Sequence, residues 1–314
     1  MPSDYAERAL IINGRSLTVK ESGASNGFPI FYAHGNPGSS GEIQFYQAQA
    51  KRQGFRLIAI DRPGFGDAPL ITPYSLTDYG NDISSLADQL GFESYGVMGW
   101  SSGGPPSLAV AYRDPGRVRF VISADGYTNF GEFPDAEKAL ADLGRKGAQL
   151  SEKRPHLFSA VLSLSAWTEQ YATPLYLLAA NATLTENDRS ILENGQNQPI
   201  FNQVQQEALK QGPAGVKQDL ETQWAPWEFS LDQIKPPVLV VQGLDDTFVP
   251  VSFARHLCQN LPRCELDLIP EQGHLAPLTD SVQDAMFRFA RRTLSGPPLL
   301  DTSLVDHAGI KTSR

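Results

Sequence analysis

Basic clusters are missing from this 314-residue chain: 26 Lys and Arg are scattered among 35 Asp and Glu, for a formal charge of −9. Nucleic acid is not an expected partner, because phosphate binding needs a concentrated basic footprint. Long apolar runs are missing too. No stretch approaches the ~20 residues that span a bilayer, and no membrane partner is expected. The opening MPSDYAERAL lacks the basic-then-apolar layout of a secretory signal, so the expected location is cytoplasmic. Cysteine is scarce. Cys258 and Cys264, on either side of an expected helix-to-strand connection, are the only two, and without an export signal they read as reduced thiols. Neither pairs with histidines at zinc-ligand spacing, so no metal site is indicated. The sequon Asn181-Ala182-Thr183 matters only in a secreted protein and is set aside. No repeat of tens of residues is present, which excludes solenoids and propellers.

What is present is an ordinary globular composition, 41% hydrophobic and 19% charged, with enough chain for a sizeable core. The opening reads as a hairpin. Ala9 to Ile12 and Leu17 to Glu21 flank Asn13-Gly14, a pair suited to the two positive-φ positions of a type I′ turn. Short apolar runs follow at Pro29 to Ala33, Phe55 to Ile60, Tyr95 to Met98 and Arg119 to Ala124. Each ends in a Gly or Asp turn, as buried parallel strands do. Helix-like stretches separate them. The clearest is Thr77 to Leu90, with Thr77 as expected cap, apolar residues at helical spacing and Gly91 as stop. The alternation predicts an α/β fold on a mainly parallel sheet.

The rhythm breaks after Asp125. From about Tyr127 to Ser230 there is almost no strand pattern, only helix-forming stretches such as Ala136 to Leu150 and Asn202 to Lys210, with scattered tryptophan and tyrosine. Strands resume at Val238 to Gln242 and Glu265 to Ile269. A helical block between strands of one sheet predicts an inserted cap over residues 127–230, with the core formed by 1–126 and 231–294. Residues 295–314, with Pro297-Pro298 and little periodicity, read as a flexible tail.

Gly99-Trp100-Ser101-Ser102-Gly103 is a G-x-S-x-G motif between an apolar run and a helix-like stretch. A serine there sits on a sharp turn, and the small flanking residues let strand and helix approach closely. Ser101 is therefore the candidate nucleophile. Of five histidines, His274 is the candidate base, since its loop follows the last strand and reaches the edge where parallel strands end. His34 reads as a loop-shaping residue and His256 as surface or packing. His156 falls in the cap and His307 in the tail. A third member would orient the imidazole, and Asp125, Asp245 and Asp246 are the acids on loops at that edge.

Four blocks, His34 to Gly38, Asp61 to Gly66, Gly99 to Gly104 and Gly243 to Pro250 with His274, resemble the α/β-hydrolase family, in its capped esterase, lactonase and prolyl-aminopeptidase-like branch. The resemblance implies an eight-stranded sheet with helices on both faces and an inserted helical cap. It implies Asp246 as the triad acid with Asp245 in reserve, and the backbone N–H groups of Asn36 and Ser102 as oxyanion hole. It also implies a Ser-His-Asp acyl-enzyme mechanism on a carboxylic ester or lactone with apolar parts, needing no cofactor, in a monomer or homodimer. Two alternatives remain. One is a peptidase using Glu132, Asp135 and Glu137 to grip a substrate amine, and the other a non-catalytic ligand receptor. A serine at 101 argues against the epoxide hydrolases and dehalogenases of this fold, which carry aspartate there.

Overall fold

Asn13 and Gly14 take φ of 47° and 79°, as a type I′ turn requires, and pair β1 (Ala6–Ile12) with β2 (Arg15–Gly23) in antiparallel register. The computed structural model describes residues 5–195 and 197–296. Six further strands complete one sheet: β3 (Phe28–Ala33), β4 (Phe55–Ile60), β5 (Tyr95–Trp100), β6 (Val118–Ala124), β7 (Val238–Gly243) and β8 (Cys264–Ile269). The eight strands run in the order β1-β2-β4-β3-β5-β6-β7-β8. β2 pairs antiparallel with β4, and every pair beyond is parallel. This is the mainly parallel eight-stranded sheet expected.

The central strands are apolar because both of their faces are covered. On one face α2 (Leu76–Leu90), α3 (Gly104–Arg113) and α11 (Val251–Asn260) bury Ile83, Leu86, Leu108 and Leu257 against Val97 and Val240. On the other, α1 (Ile43–Gln53) and α12 (Asp280–Ser295) bury Tyr46, Met286 and Phe287 against Ile30, Leu57 and Met98. Each such side chain contributes about 1.5–3 kcal/mol by leaving water. α2 ends as expected at Gly91, whose φ of 72° suits glycine. Its cap is Ser75, not Thr77. The Ser75 hydroxyl accepts from Asp78 N–H while the Asp78 carboxylate accepts from Ser75 N–H, a reciprocal pair Thr77 cannot make.

Seven helices among the described residues lie between β6 and β7: α4 (Ala136–Ala139), α5 (Asp142–Lys153), α6 (Pro155–Tyr171), α7 (Thr173–Asn181), α8 (Glu186–Glu193), α9 (Asn197–Leu209) and α10 (Ala214–Trp224). β6 and β7 are neighbours in the sheet, with Val121 opposite Val238, so the helices are spliced between adjacent strands. The helix expected over Ala136 to Leu150 is broken in two, because Leu140 turns out of the helical region with ψ of 145°. The helix expected over Asn202 to Lys210 begins earlier, at Asn197. Cys258 and Cys264 are joined as a disulfide instead of standing as reduced thiols. The end of α11 and the start of β8 hold their Cα atoms 5.2 Å apart, within bridging range. Of the expected tail, residues 297–314 lie outside the described residues. No described helix is long and apolar enough to cross a membrane.

Candidate active site

Parallel register carries several strand ends to one edge. Ala33 lies beside Gly99, Trp100 beside Ala124, and Gly243 beside Ile269. The residues that follow, His34-Gly35-Asn36, Ser101, Asp125 and the loops carrying Asp246 and His274, therefore leave the sheet together. β3 runs to β4 on one side, and β5 returns on the other, so the chain reverses direction between β3 and β5, where crevices open in such sheets.

Ser101 has φ of 55°, a left-handed conformation that costs a non-glycine residue about 1–2 kcal/mol. The turn is held by close approach. A methyl on Gly99 would overlap the Gly103 carbonyl, and one on Gly103 would overlap the Ala33 carbonyl. Strand, turn and helix thus require the two glycines of the motif, as the sequence suggests. The α-carbon of Gly35 faces the same turn; a methyl there would sit 3.7 Å from Ser101 Cβ.

His274 Nδ1–H donates to Asp246 Oδ2 at 2.8 Å. That carboxylate also accepts from Gln242 Nε2 (3.0 Å) and from the N–H groups of Phe248 (2.7 Å) and Val249 (3.0 Å). Asp246 is thereby fixed, with 1% of its side chain exposed, whereas Asp245 is exposed. The bond at Nδ1 leaves Nε2 free to accept a proton. The ring lies against Trp100 and Phe248, and Trp100 Nε1–H donates to the His274 carbonyl at 3.1 Å. Burial alone lowers the imidazole pKa, but Asp246, with Asp125 and Asp188 behind it, outweighs burial and raises it to about 9. Ser101 Oγ makes no hydrogen bond among the described residues, to His274 or elsewhere. Hydrogen bonds of this kind are often long until substrate binds.

Asp125 accepts Gly243 N–H at 2.8 Å through Oδ1, while Oδ2 is buried without a partner among the described residues. Burial first, and the nearby Asp246 charge second, hold its pKa well above the carboxylate range. Asp125, Asp246 and His274 present atoms within 4.8 Å of one another, the one His/Cys/Asp/Glu group among the described residues close enough for a metal. Its imidazole already donates to Asp246.

Asn36 follows Gly35 on the loop beside Ser101, and its backbone N–H donates to no group among the described residues. Ser102 N–H lies in the first turn of the helical segment, where no intrahelical acceptor exists. The loop is braced from below and from above. Below, the fully buried Glu42 accepts Gly35 N–H (2.9 Å) and Tyr32 O–H (2.7 Å), its pKa pushed by burial to about 7. Above, Asp219 of α10 accepts Asn36 Nδ2–H (2.9 Å) and pairs with both Arg62 Nε (2.7 Å) and Nη2 (2.8 Å). Arg62 in turn donates to the carbonyls of His34 and Gly35. The pair is buried, so Arg62→Met should strand the Asp219 charge and cost about 3–5 kcal/mol in urea denaturation. Adding Asp219→Leu should recover part of that. A loss below 1 kcal/mol would mean that water reaches the pair.

The remaining histidines match their expected roles where they are described. His34 donates from Nδ1 to Gly35 O (2.8 Å) and accepts Arg62 N–H at Nε2 (3.0 Å), fixing the loop. His256 is buried, stacked on Phe133 and bonded to Thr128 Oγ1. His156 is exposed, and His307 lies outside the described residues. Of the acids considered for an amine grip, Glu132 instead accepts Leu231 N–H, and Asp135 pairs on the surface with Lys138. Glu137 lines a cleft of about 470 Å³ with Phe130, Glu152, Glu221 and Trp224. The aromatics of residues 127–230 divide accordingly. Trp227 is core, Trp224 lines the cleft, and Trp167 and Tyr171 are exposed.

Asp188, Asp219 and Glu42 were not singled out from the sequence. Thr185-x-x-Asp188 has capping-box spacing, which announces a helix start but not the remote loop it touches.

Residues 29–281 match a family model described as alpha/beta hydrolase fold. The chain is 30% identical over 250 residues to a putative carbamate hydrolase RutD of Caulobacter sp. (strain K31), covering 76% of this chain and 80% of that protein. It is 27% identical to a 2-hydroxy-6-oxo-6-phenylhexa-2,4-dienoate hydrolase of Burkholderia cepacia, covering 83% of this chain and 89% of that one. The enol-lactonase of Burkholderia xenovorans LB400 superposes with a TM-score of 0.65 at 17% identity, over 92% of this chain and 100% of the lactonase. That likeness is one of fold.

Proposed function

Because the chain belongs to the alpha/beta hydrolase fold family, we propose that it is a serine hydrolase that cleaves carboxylic esters or lactones through an acyl-enzyme. The observation carrying this reading is the Asp246–His274 hydrogen bond, at the same sheet edge as the strained turn that presents Ser101. His274 Nε2 takes the Ser101 proton as Oγ attacks the carbonyl. The N–H groups of Asn36 and Ser102 receive the developing oxyanion. Such donors act because they are already oriented, and losing one costs about 3 kcal/mol of barrier. Collapse of the intermediate expels the alcohol, protonated by His274. Water, deprotonated by the same imidazole, then releases the acid and restores the serine. Asp246 holds the ring in the tautomer that leaves Nε2 available.

Residues 127–230 act in this reading as a cap over the edge, and the partly exposed Phe248 beside the imidazole supplies apolar surface for the acyl or alcohol part. Carbamates are a neighbouring substrate class, since attack on their carbonyl passes through the same kind of intermediate and a relative is named for it. The test is labelling with a fluorophosphonate followed by peptide mass spectrometry. One adduct, on the peptide holding Ser101, is expected, together with loss of p-nitrophenyl ester turnover in proportion to labelling. Turnover that persists in fully labelled protein would remove Ser101 from the reaction.

A further inference from the structure

The first turn of α8 carries a carboxylate that does two jobs. Thr185 caps the helix, its hydroxyl accepting Asp188 N–H at 3.0 Å while Asp188 Oδ2 accepts Thr185 N–H. The same carboxylate reaches out of the insertion into the loop before α12. Oδ1 accepts Leu275 N–H at 2.8 Å, and Oδ2 accepts His274 N–H at 3.3 Å. Gly273 leaves the room for this; a methyl there would overlap the carboxylate. Around it, Asn187 Nδ2 donates to the Glu271 carbonyl, and Thr247 Oγ1 to the Thr183 carbonyl at 3.1 Å. One turn of the insertion therefore grips the loop of His274 and the loop of Asp246.

A capping role alone does not account for the arrangement. Asp78 of α2 occupies the same position in an equivalent capping box, and it is exposed and, among the described residues, bonds only within its own cap. Asp188 has no exposed surface. Enclosing a carboxylate is costly unless each oxygen finds donors, and here two of the donors are the backbone of the histidine loop.

We propose that Asp188 is a positioning residue for His274: the inserted helix sets, through this carboxylate's bonds to the histidine loop, where the imidazole stands. The proposal rests on the reading of His274 as general base. Three acidic side chains act on the imidazole, Asp246 after β7, Asp125 after β6 and, behind the histidine backbone, Asp188 from α8, each favouring the protonated ring; its other close neighbours, Trp100 and Phe248, are uncharged. Asp188 alone of the three belongs to the insertion. Removing its charge lowers the imidazole's proton affinity, and removing its hydrogen bonds frees the loop. A misplacement of about 1 Å is enough to cost 10²-fold in rate.

The experiment compares full-length wild type with Asp188→Asn, and with Asp78→Asn as the matched cap control. It uses two readouts: the pH dependence of kcat/KM on p-nitrophenyl acetate, and an NMR titration of the His274 imidazole without substrate. In Asp188→Asn the acid limb and the imidazole midpoint should both move to lower pH, by about half a unit or more. kcat should fall by about 10- to 100-fold with KM within about 3-fold. Asp78→Asn should move neither. If Asp188→Asn loses thermal stability but keeps the wild-type midpoint and kcat, Asp188 is a helix cap and the proposal fails. If wild type hydrolyses no acyl ester, the functional reading fails separately, while the imidazole midpoint still decides whether Asp188 acts on His274.

Discussion

Ser101→Ala is expected to cut kcat on p-nitrophenyl acyl esters by about 10⁶-fold, equivalent to about 8 kcal/mol of barrier. The exchange removes one oxygen that makes no hydrogen bond among the described residues. Alanine meets the same backbone cost at φ of 55° as serine does. Thermal unfolding should therefore coincide with wild type within a degree or two, and circular dichroism should not change. In the proposed mechanism, residual turnover about 10³- to 10⁴-fold above solvent would remain, because the Asn36 and Ser102 N–H groups are untouched. A rate within tenfold of wild type would place the activity on another group.

Asp246→Asn should lower kcat by about 10⁴-fold. The amide cannot stabilise an imidazolium, and it offers the ring a donor where a carboxylate stood. Stopped-flow measurement of the acylation burst separates this from slow product release. Asp245→Asn is the control. That residue is exposed and its side chain bonds to nothing in the site, so activity within about 2-fold of wild type is expected. Equal losses in the two variants would overturn the choice of Asp246. The pH profile carries a second sign. The proposed base role requires a neutral His274, and burial is outweighed by the neighbouring carboxylates, which raise its pKa to about 9. Activity should rise with pH through that range, and in Asp246→Asn the rise should shift to lower pH. The folded-state pKa is raised, so the charged pair stabilises the fold fully below the unfolded value near 6.5. That contribution fades as pH climbs toward 9 and is absent from the variant.

The core was legible because its signals are local. Asn13-Gly14 fixes a hairpin by backbone preference, and runs such as Phe55–Ile60 are strands because both faces are buried. Gly99-x-Ser101-x-Gly103 declares a turn that only small residues permit. The insertion was legible as helical, but not in detail. Ser75 and Thr77 are both capping residues, and the carboxyl three places on, at Asp78, decides for Ser75. Leu140, where the helix breaks, is buried with Tyr127 and Phe253, a contact that periodicity does not record. The reach of Asp188 to His274 and of Asp219 to Asn36 spans 86 and 183 residues, and no spacing rule extends that far. The cysteine pair is a local matter, with a sequence separation of 6: the expected compartment points to thiols, and the short connection from α11 to β8 brings the sulfurs together.

The splice between β6 and β7 has an engineering consequence. Both junctions open onto neighbouring positions of a rigid platform, so a foreign helical block of different length could be exchanged there without disturbing strand order. Two carboxylates of the native block nevertheless finish the groove beneath, one at the imidazole loop and one at the amide loop. A chimera designed for new selectivity must transplant both anchors; a block chosen for shape alone would leave the His274 and Asn36 loops without these braces.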